Sequence, residues 1–171
     1  MESEYNKSEI ESFARGIKLL LMDCDGVLTD GRLYFSSGGE ETKVFHARDG
    51  QGLVSWHKAG YNSGIISGRC SKIVDLRAGE LGVKFVHQGV EDKIQAFLAI
   101  LAEAYISDPA EVAYIGDDIA DIPLLKMVGL AVAVADAVDE VKAAAAFVTE
   151  AKGGKGAVRE VTDLLLSAQK R

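Results

Sequence analysis

Short, largely apolar runs recur along this chain, with segments of helical spacing between them. IKLLLM (Ile17 to Met22), NSGIIS (Asn62 to Ser67), VKFV (Val83 to Val86), VAYIG (Val112 to Gly116) and LAVAVA (Leu130 to Ala135) are four to six residues long. They are too short for helices and lack the strict polar alternation of a strand with one wet face, so they read as strands covered on both sides. Between them, Asp49 to Ala59, Ser71 to Leu81, Asp92 to Ala104, Ala120 to Met127 and Asp139 to Ala146 place apolar residues at helical spacing. This alternation predicts a Rossmann-like, doubly wound α/β fold: a mainly parallel sheet with helices on both faces, in one domain over residues 1–171.

Local signals agree with that reading. Gly60 and Gly82 fall where helices should stop, and SDPAE offers Asp108 as an N-cap, Pro109 at the first helical position and Glu111 to complete a capping box. RLYFSSGGEETKVFHA has two β-rich arms around a Ser-Gly-Gly turn, which predicts a β-hairpin, about residues 31–47, projecting from the end of the first strand. Ala143 to Ala146 reads as helix. Residues from about 152 onward read as a C-terminal tail in which GGKG, Gly153 to Gly156, is a mobile segment able to close on a neighbouring site or a turn before a last helix.

Composition narrows the function classes. With 48% hydrophobic and 26% charged residues the chain can bury one good core. A net charge of -7, with no basic block, argues against a nucleic-acid partner. No apolar stretch reaches membrane-spanning length, and the polar, acidic start lacks the basic-then-apolar order of a signal peptide, so a cytoplasmic location is expected. Cys24 and Cys70 lack a metal-ligand spacing and read as small buried thiols.

The chemistry gathers at strand ends. Asp23 and Asp25 stand two apart just past the first strand, so their side chains can converge on one side, and Gly26 lets the backbone turn sharply. Asp117, Asp118 and Asp121 of GDDIAD follow VAYI by the same logic. Ligands of open α/β sheets bind at the carboxyl ends of the strands, where both loops lie. Two carboxylate loops at one edge repel each other unless a cation intervenes, and an all-oxygen ligand set suits Mg²⁺ with substrate phosphate. Ser67 ends the second buried strand and Lys93 opens the helix after the third, supplying a hydroxyl and a fixed positive charge for a phosphoryl group. Taken singly, an Asp-Gly turn, a serine cap or a surface lysine is commonplace; their convergence on one sheet edge is not.

DCDGVLTDG, ISGR, Lys93 and GDDIADIP resemble, in order, the four motifs of the haloacid dehalogenase superfamily of phosphatases. FHARDGQG, AYIGDD, VGLAVAVADA and GGKGAVREVTDLLL extend the resemblance along nearly the whole chain to the family of octulosonate 8-phosphate phosphatases. The resemblance implies that Asp23 is the nucleophile and forms an aspartyl-phosphate, and that Asp25 protonates the leaving oxygen and then activates water. It implies Mg²⁺ on Asp23, Asp117 and the backbone carbonyl of Asp25, with Asp118 or Asp121 supporting from behind, and Ser67 and Lys93 on the phosphoryl oxygens. For a substrate that also bears a carboxylate, arginines are expected near the sugar: Arg48, Arg69 beside Gly68, and Arg77, with His46, Ala47, Asp49 and Gly50 lining the same place by family analogy.

The segments between motifs are too short for a cap domain, so one subunit cannot enclose its substrate. The resemblance implies a homotetramer whose neighbours complete each site, acting on an anionic sugar-acid phosphate in lipopolysaccharide precursor synthesis. Arg69 argues against the sister group that acts on nine-carbon sugar acids, where an acidic residue tends to stand, while Leu53 and Val54 occupy positions where the family often has a basic residue. A receiver domain of a signalling relay shares the sheet, the Mg²⁺ site, a phosphoaspartate and a lysine. It would carry an adjacent acidic pair first and its acceptor aspartate later, the reverse of the order here. A regulatory subunit without catalysis finds no support, since every catalytic position is filled.

Overall fold

A computed structural model describes residues 5–170. The chain opens with α1 (Lys7–Arg15) and runs through β1 (Leu19–Met22), a hairpin of β2 (Tyr34–Phe35) and β3 (Glu41–Thr42), α2 (Ala47–Lys58), β4 (Asn62–Ile66), α3 (Lys72–Leu81) and β5 (Phe85–His87). The second half comprises α4 (Lys93–Glu103), β6 (Val112–Gly116), α5 (Ile122–Leu125), β7 (Leu130–Ala133), α6 (Asp139–Ala144), β8 (Phe147–Val148) and α7 (Ala157–Gln169).

The main sheet is parallel throughout, in the order β5-β4-β1-β6-β7-β8, as the doubly wound reading expects. One layer holds α1, α2, α3 and α7, and the other holds α4, α5 and α6. Every residue of β1 is fully buried, which explains why its sequence lacks alternation. The chain first winds from β1 outward through β4 to β5, then returns to β6 on the other side of β1. That reversal makes the crevice past the ends of β1 and β6 the topological switch point of the sheet. Met22 pairs with Ile115, and the Asp23 amide bonds the Ile115 carbonyl at 3.0 Å, so the two acidic loops leave the sheet side by side.

Several elements differ from expectation for local reasons. The N-terminal helix α1 was not among the expected helices, although Ile10, Phe13 and Ala14 stand at helical spacing; it buries Ile10 and Ala14 and starts at a capping box in which Asn6 accepts from the Ser8 and Glu9 amides while Glu9 accepts from the Asn6 amide. The alanine run leaves the helix after Ala144, because Ala146 donates to the Ala131 carbonyl and carries the chain into β8. Asp108 caps a single 3₁₀ turn, Pro109–Glu111, and Glu111 pairs with Lys18 at 2.5 Å. Cys24 is buried as expected, but Cys70 is exposed. No helix among the described residues is long and apolar enough to cross a membrane.

Of the two readings of GGKG, the structure shows the turn before a last helix. Gly153 lies so close to the Gly26 carbonyl that a Cβ has no room, and the Gly154 amide donates to the Val27 carbonyl at 2.9 Å. GGKG therefore braces the loop after β1 of its own chain. The helix that follows, α7, buries Val158, Val161 and Leu165 against α1 and α2. Its own N-cap, Gly156, has no side chain to offer, and Asp49 from α2 takes that part by accepting from the amides of Arg159 (2.8 Å) and Gly156 (3.3 Å). Asp49, expected to line the substrate loop, is 1% exposed, with both carboxylate oxygens engaged by these amides. Gly50, also expected near substrate, is buried where Arg77 and Leu81 leave no space for a side chain. Asp49→Ala should cost about 1–2 kcal/mol in urea unfolding, the range for a lost helix cap, while a variant indistinguishable from wild type would show that α7 does not depend on this cap.

Candidate active site

Asp23 stands one residue past β1 with its carboxylate divided between two donors: Oδ1 accepts from the Cys24 amide at 2.6 Å and Oδ2 from Lys93 Nζ at 2.6 Å. Lys93, the first residue of α4, is buried, and its ammonium also reaches Asp121 Oδ1 at 2.7 Å. Asp121 is fully buried and satisfied on both oxygens: Oδ1 also accepts from the Tyr114 hydroxyl at 2.7 Å, and Oδ2 from the amides of Asp117 (2.9 Å) and Asp118 (3.2 Å). Asp23, Asp117 and Asp121 can each place a carboxylate oxygen so that all lie within 4.8 Å of one another.

That grouping is electrostatically incomplete. Asp117 Oδ1 is buried without a hydrogen-bond partner among the described residues. Burial, with Asp23, Asp121 and Asp118 adding to it, pushes the Asp117 carboxyl up to about 8. Burial also raises Asp23, to about 6, against the pull of Lys93. Such proton affinity, caused first by burial and then by neighbouring carboxylates, suits these groups to share a positive charge. A hard divalent cation such as Mg²⁺ fits the all-oxygen donor set, with Asp23 and Asp117 as the residues that would hold it and Asp121 locking Lys93 and the Asp117 loop behind them.

Asp25 is held differently from its neighbour. Its Oδ1 accepts a hydrogen bond from Lys43 Nζ, and its Oδ2 lies 3.6 Å from Arg69 Nη1. Lys43 follows β3 of the hairpin, has a side chain only 2% exposed, and lies 3.4 Å from Glu41. Glu41 accepts from Arg69 Nη2 at 2.9 Å. Burial works against the Lys43 charge, but the Asp25 hydrogen bond and the surrounding carboxylates hold its ammonium above the usual range. Ser67 is buried at the end of β4, its backbone tied to His87 and Val90, and exposed Gly68 lines a cleft with Lys93 and Ala120.

The structure thus brings together Asp23, Asp25, Lys93, Arg69, Asp117 and Asp121 at the carboxyl edge of β1 and β6. Of Asp118 and Asp121, either of which was expected behind the metal seat, Asp121 is buried there, whereas the Asp118 side chain faces solvent and folds onto the Ile119 amide of its own loop. Arg77 pairs with Glu80 at 2.8 Å and lies over the Phe45 ring. His46 caps α2 by accepting from the Arg48 amide, and Ala47 and Arg48 are exposed beside it. No hydrogen bond or ion pair joins Arg48 or Arg77 to the acidic cluster among the described residues. Leu53 is fully buried in the core and could not carry a basic group toward substrate.

Three participants were missed in sequence: Lys43, Glu41 and Tyr114. Glu41 and Lys43 are two apart on one hairpin arm and so share a face, which was the available signal. The expected role of Gly26 is enlarged, since its φ of +88° suits glycine and the Asp117 carboxylate occupies the place of a Cβ.

A parallel sheet with a buried lysine and converging carboxylates at its switch point is the arrangement of an α/β phosphoryl-transfer protein. The chain belongs to the haloacid dehalogenase-like hydrolase family, which it matches over residues 41–161. It is 46% identical over 156 residues to the 3-deoxy-D-manno-octulosonate 8-phosphate phosphatase of Yersinia pestis, covering 91% of this chain and 83% of that protein. The counterpart from Escherichia coli K12 is 44% identical over 162 residues, covering 95% of this chain and 86% of the relative. Among solved structures, the phosphatase of the same name from Moraxella catarrhalis, in complex with magnesium ion, phosphate ion and KDO, has a TM-score of 0.94 at 39% identity and covers 96% of this chain and 94% of that one.

Gly26→Ala should displace the Asp117 carboxylate and lower Mg²⁺ affinity at least about tenfold, the scale for a disturbed ligand support, by calorimetric titration. Unchanged affinity would remove Asp117 from the metal-holding set.

Proposed function

We propose that this chain is a Mg²⁺-dependent phosphatase that hydrolyses 3-deoxy-D-manno-octulosonate 8-phosphate to the sugar acid and phosphate. One observation carries the reading: at the switch point, the same Asp23 that is gathered with Asp117 and Asp121 is also bonded to Lys93, so a nucleophile, a metal seat and a phosphoryl-binding cation share one carboxylate. The relatives and the magnesium-, phosphate- and KDO-bound neighbour supply the substrate class.

In this reading an Asp23 oxygen attacks phosphorus in line, forming the carboxylate-phosphorus bond as the bond from phosphorus to the sugar oxygen breaks. Asp25 delivers a proton to the departing oxygen. It then takes one from the water that attacks the aspartyl-phosphate, releasing phosphate and restoring Asp23. Lys93 and Ser67 bind the phosphoryl oxygens, and Lys93 keeps its charge because burial is outweighed by Asp23 and Asp121. Asp23, Asp117 and the Asp25 backbone carbonyl would hold Mg²⁺, which would supply the charge that lets nucleophile and phosphate approach. Arg69 is assigned to the sugar acid in this reading, supported by its side chain being 40% exposed beside Asp25.

Assembly belongs to the same proposal. The site lies open at the sheet edge, and the hairpin beside it exposes Leu33, Phe35 and Val44, an apolar surface suited to a second copy of this chain. We infer a homotetramer in which neighbouring subunits complete each site. Sedimentation at working concentration should give a tetramer; a monomer that retains full turnover would refute completion by neighbours.

Asp23→Asn should retain the wild-type melting profile and lose more than about 10³-fold in phosphate release, since the nucleophile is indispensable. With wild type and Mg²⁺, the octulosonate 8-phosphate should be hydrolysed in strong preference to a nine-carbon sugar acid 9-phosphate and to hexose phosphates. Near wild-type turnover by the variant would overturn the nucleophile assignment, and equal rates across the panel would overturn the substrate assignment.

A further inference from the structure

Lys43 is the one buried cation at the site that the mechanism above does not use. Its side chain comes from the hairpin, outside the sheet that supplies the other catalytic groups, and is 2% exposed. A buried ammonium needs acceptors, and this one has Asp25 Oδ1 and Glu41 Oε1. The two oxygens of Asp25 are consequently unlike. Oδ1 is tied to Lys43, whereas Oδ2 has no hydrogen bond among the described residues and lies 3.6 Å from Arg69 Nη1. Arg69 Nη1 is itself buried and lacks a hydrogen-bond partner, so an unspent donor stands beside an unspent acceptor.

We propose that Lys43 is a positioning residue for Asp25: it fixes Oδ1 from the hairpin and leaves Oδ2 as the oxygen through which the proton passes. In the first half-reaction the proton moves from Oδ2 to the sugar oxygen as that oxygen leaves phosphorus. In the second, Oδ2 takes a proton from water as the water oxygen bonds to phosphorus and the Asp23 carboxylate departs. The inference rests on the phosphatase reading and adds to it a residue and an atom. It also separates Lys43 from Lys93, which bonds Asp23 and not Asp25.

Leaving groups distinguish positioning of an acid from simple charge or stability. A sugar alkoxide needs a proton to depart; p-nitrophenolate does not, so its first turnover reports attack by Asp23 alone. In Lys43→Met, kcat on the octulosonate ester should fall about 10²-fold, the lower end for general acid-base catalysis, with KM within about threefold of wild type. The rapid burst of p-nitrophenolate should stay within about threefold, followed by slowed steady turnover because water activation also needs Asp25. Lys43→Arg, which keeps the charge, should recover at least about tenfold of the lost kcat. Melting curves establish that the variants fold, and if the methionine variant does not, Lys43→Gln carries the same comparison.

Equal losses in the alkyl rate and the aryl burst, a rise in KM with kcat unchanged, or wild-type kinetics in the variant would each overturn the assignment. Failure of the phosphatase reading looks different: wild type itself would then release no phosphate from the octulosonate ester. If wild type prefers another alkyl phosphate, the same ratio on that ester decides the role of Lys43.

Discussion

The structure is organised around mutual repulsion of carboxylates that its sheet forces together. Asp23, Asp117 and Asp121 share a space in which ligand oxygens lie within 4.8 Å, and Lys93 is the cation bonded within it. Three carboxylates against one ammonium leave two negative charges, the complement of a divalent cation. Without that cation, burial and neighbouring charge raise the proton affinity of Asp23 and Asp117, so the arrangement favours whatever positive species can enter. A phosphate ester is itself an anion and would be repelled by the bare cluster. Metal binding and substrate binding are therefore coupled by charge before any chemistry begins.

Holding this cluster requires rigidity from behind. Asp121 ties together Lys93, Tyr114 and the amides of Asp117 and Asp118, drawing α4, β6 and the second acidic loop onto one buried carboxylate. The first acidic loop is braced from the other side by Gly153 and Gly154, where close backbone approach excludes side chains. Asp49 then secures α7, the helix that follows that brace. Residues far apart in sequence thus fix the position of Asp23 to within a hydrogen bond, as an in-line displacement requires.

What could be read in sequence follows from how locally each feature is encoded. The continuous apolar character of β1 and the adjacency of β1 and β6 express a covered parallel sheet, and acidic motifs at strand ends inherit their position from it. Side-chain direction is another matter. Among Asp117, Asp118 and Asp121, three neighbours in one loop, one faces solvent and one is wholly buried, because a 3₁₀ turn over Ile119–Asp121 rotates them apart. Asp49 adjoins a family-like motif yet serves a helix more than a hundred residues away. Lys43 was hidden for the opposite reason: a lone lysine on a hairpin is ordinarily surface, and only the folded hairpin gives it Asp25 as a partner. The alanines before β8 show tertiary pairing overriding a strong helical preference.

The hairpin contributes both polar groups to the site and exposed apolar residues. It sends Lys43 and Glu41 to Asp25 and Arg69, and Phe35, which pairs with Glu41 across the ribbon and so shares its face, lies against the Arg69 guanidinium; Leu33, Phe35 and Val44 are exposed. A two-stranded ribbon with two paired residues on each arm has little stability of its own. Its position is set instead by the ion pairs that Lys43 and Glu41 make with Asp25 and Arg69 and, in the proposed assembly, by the subunit that covers its exposed apolar residues. Removing that cover would free the hairpin and, with it, the Lys43 hold on Asp25, leaving Asp23, Lys93 and the metal seat untouched in the sheet. Assembly would then govern proton transfer specifically, and the attack on phosphorus would remain a property of the single subunit.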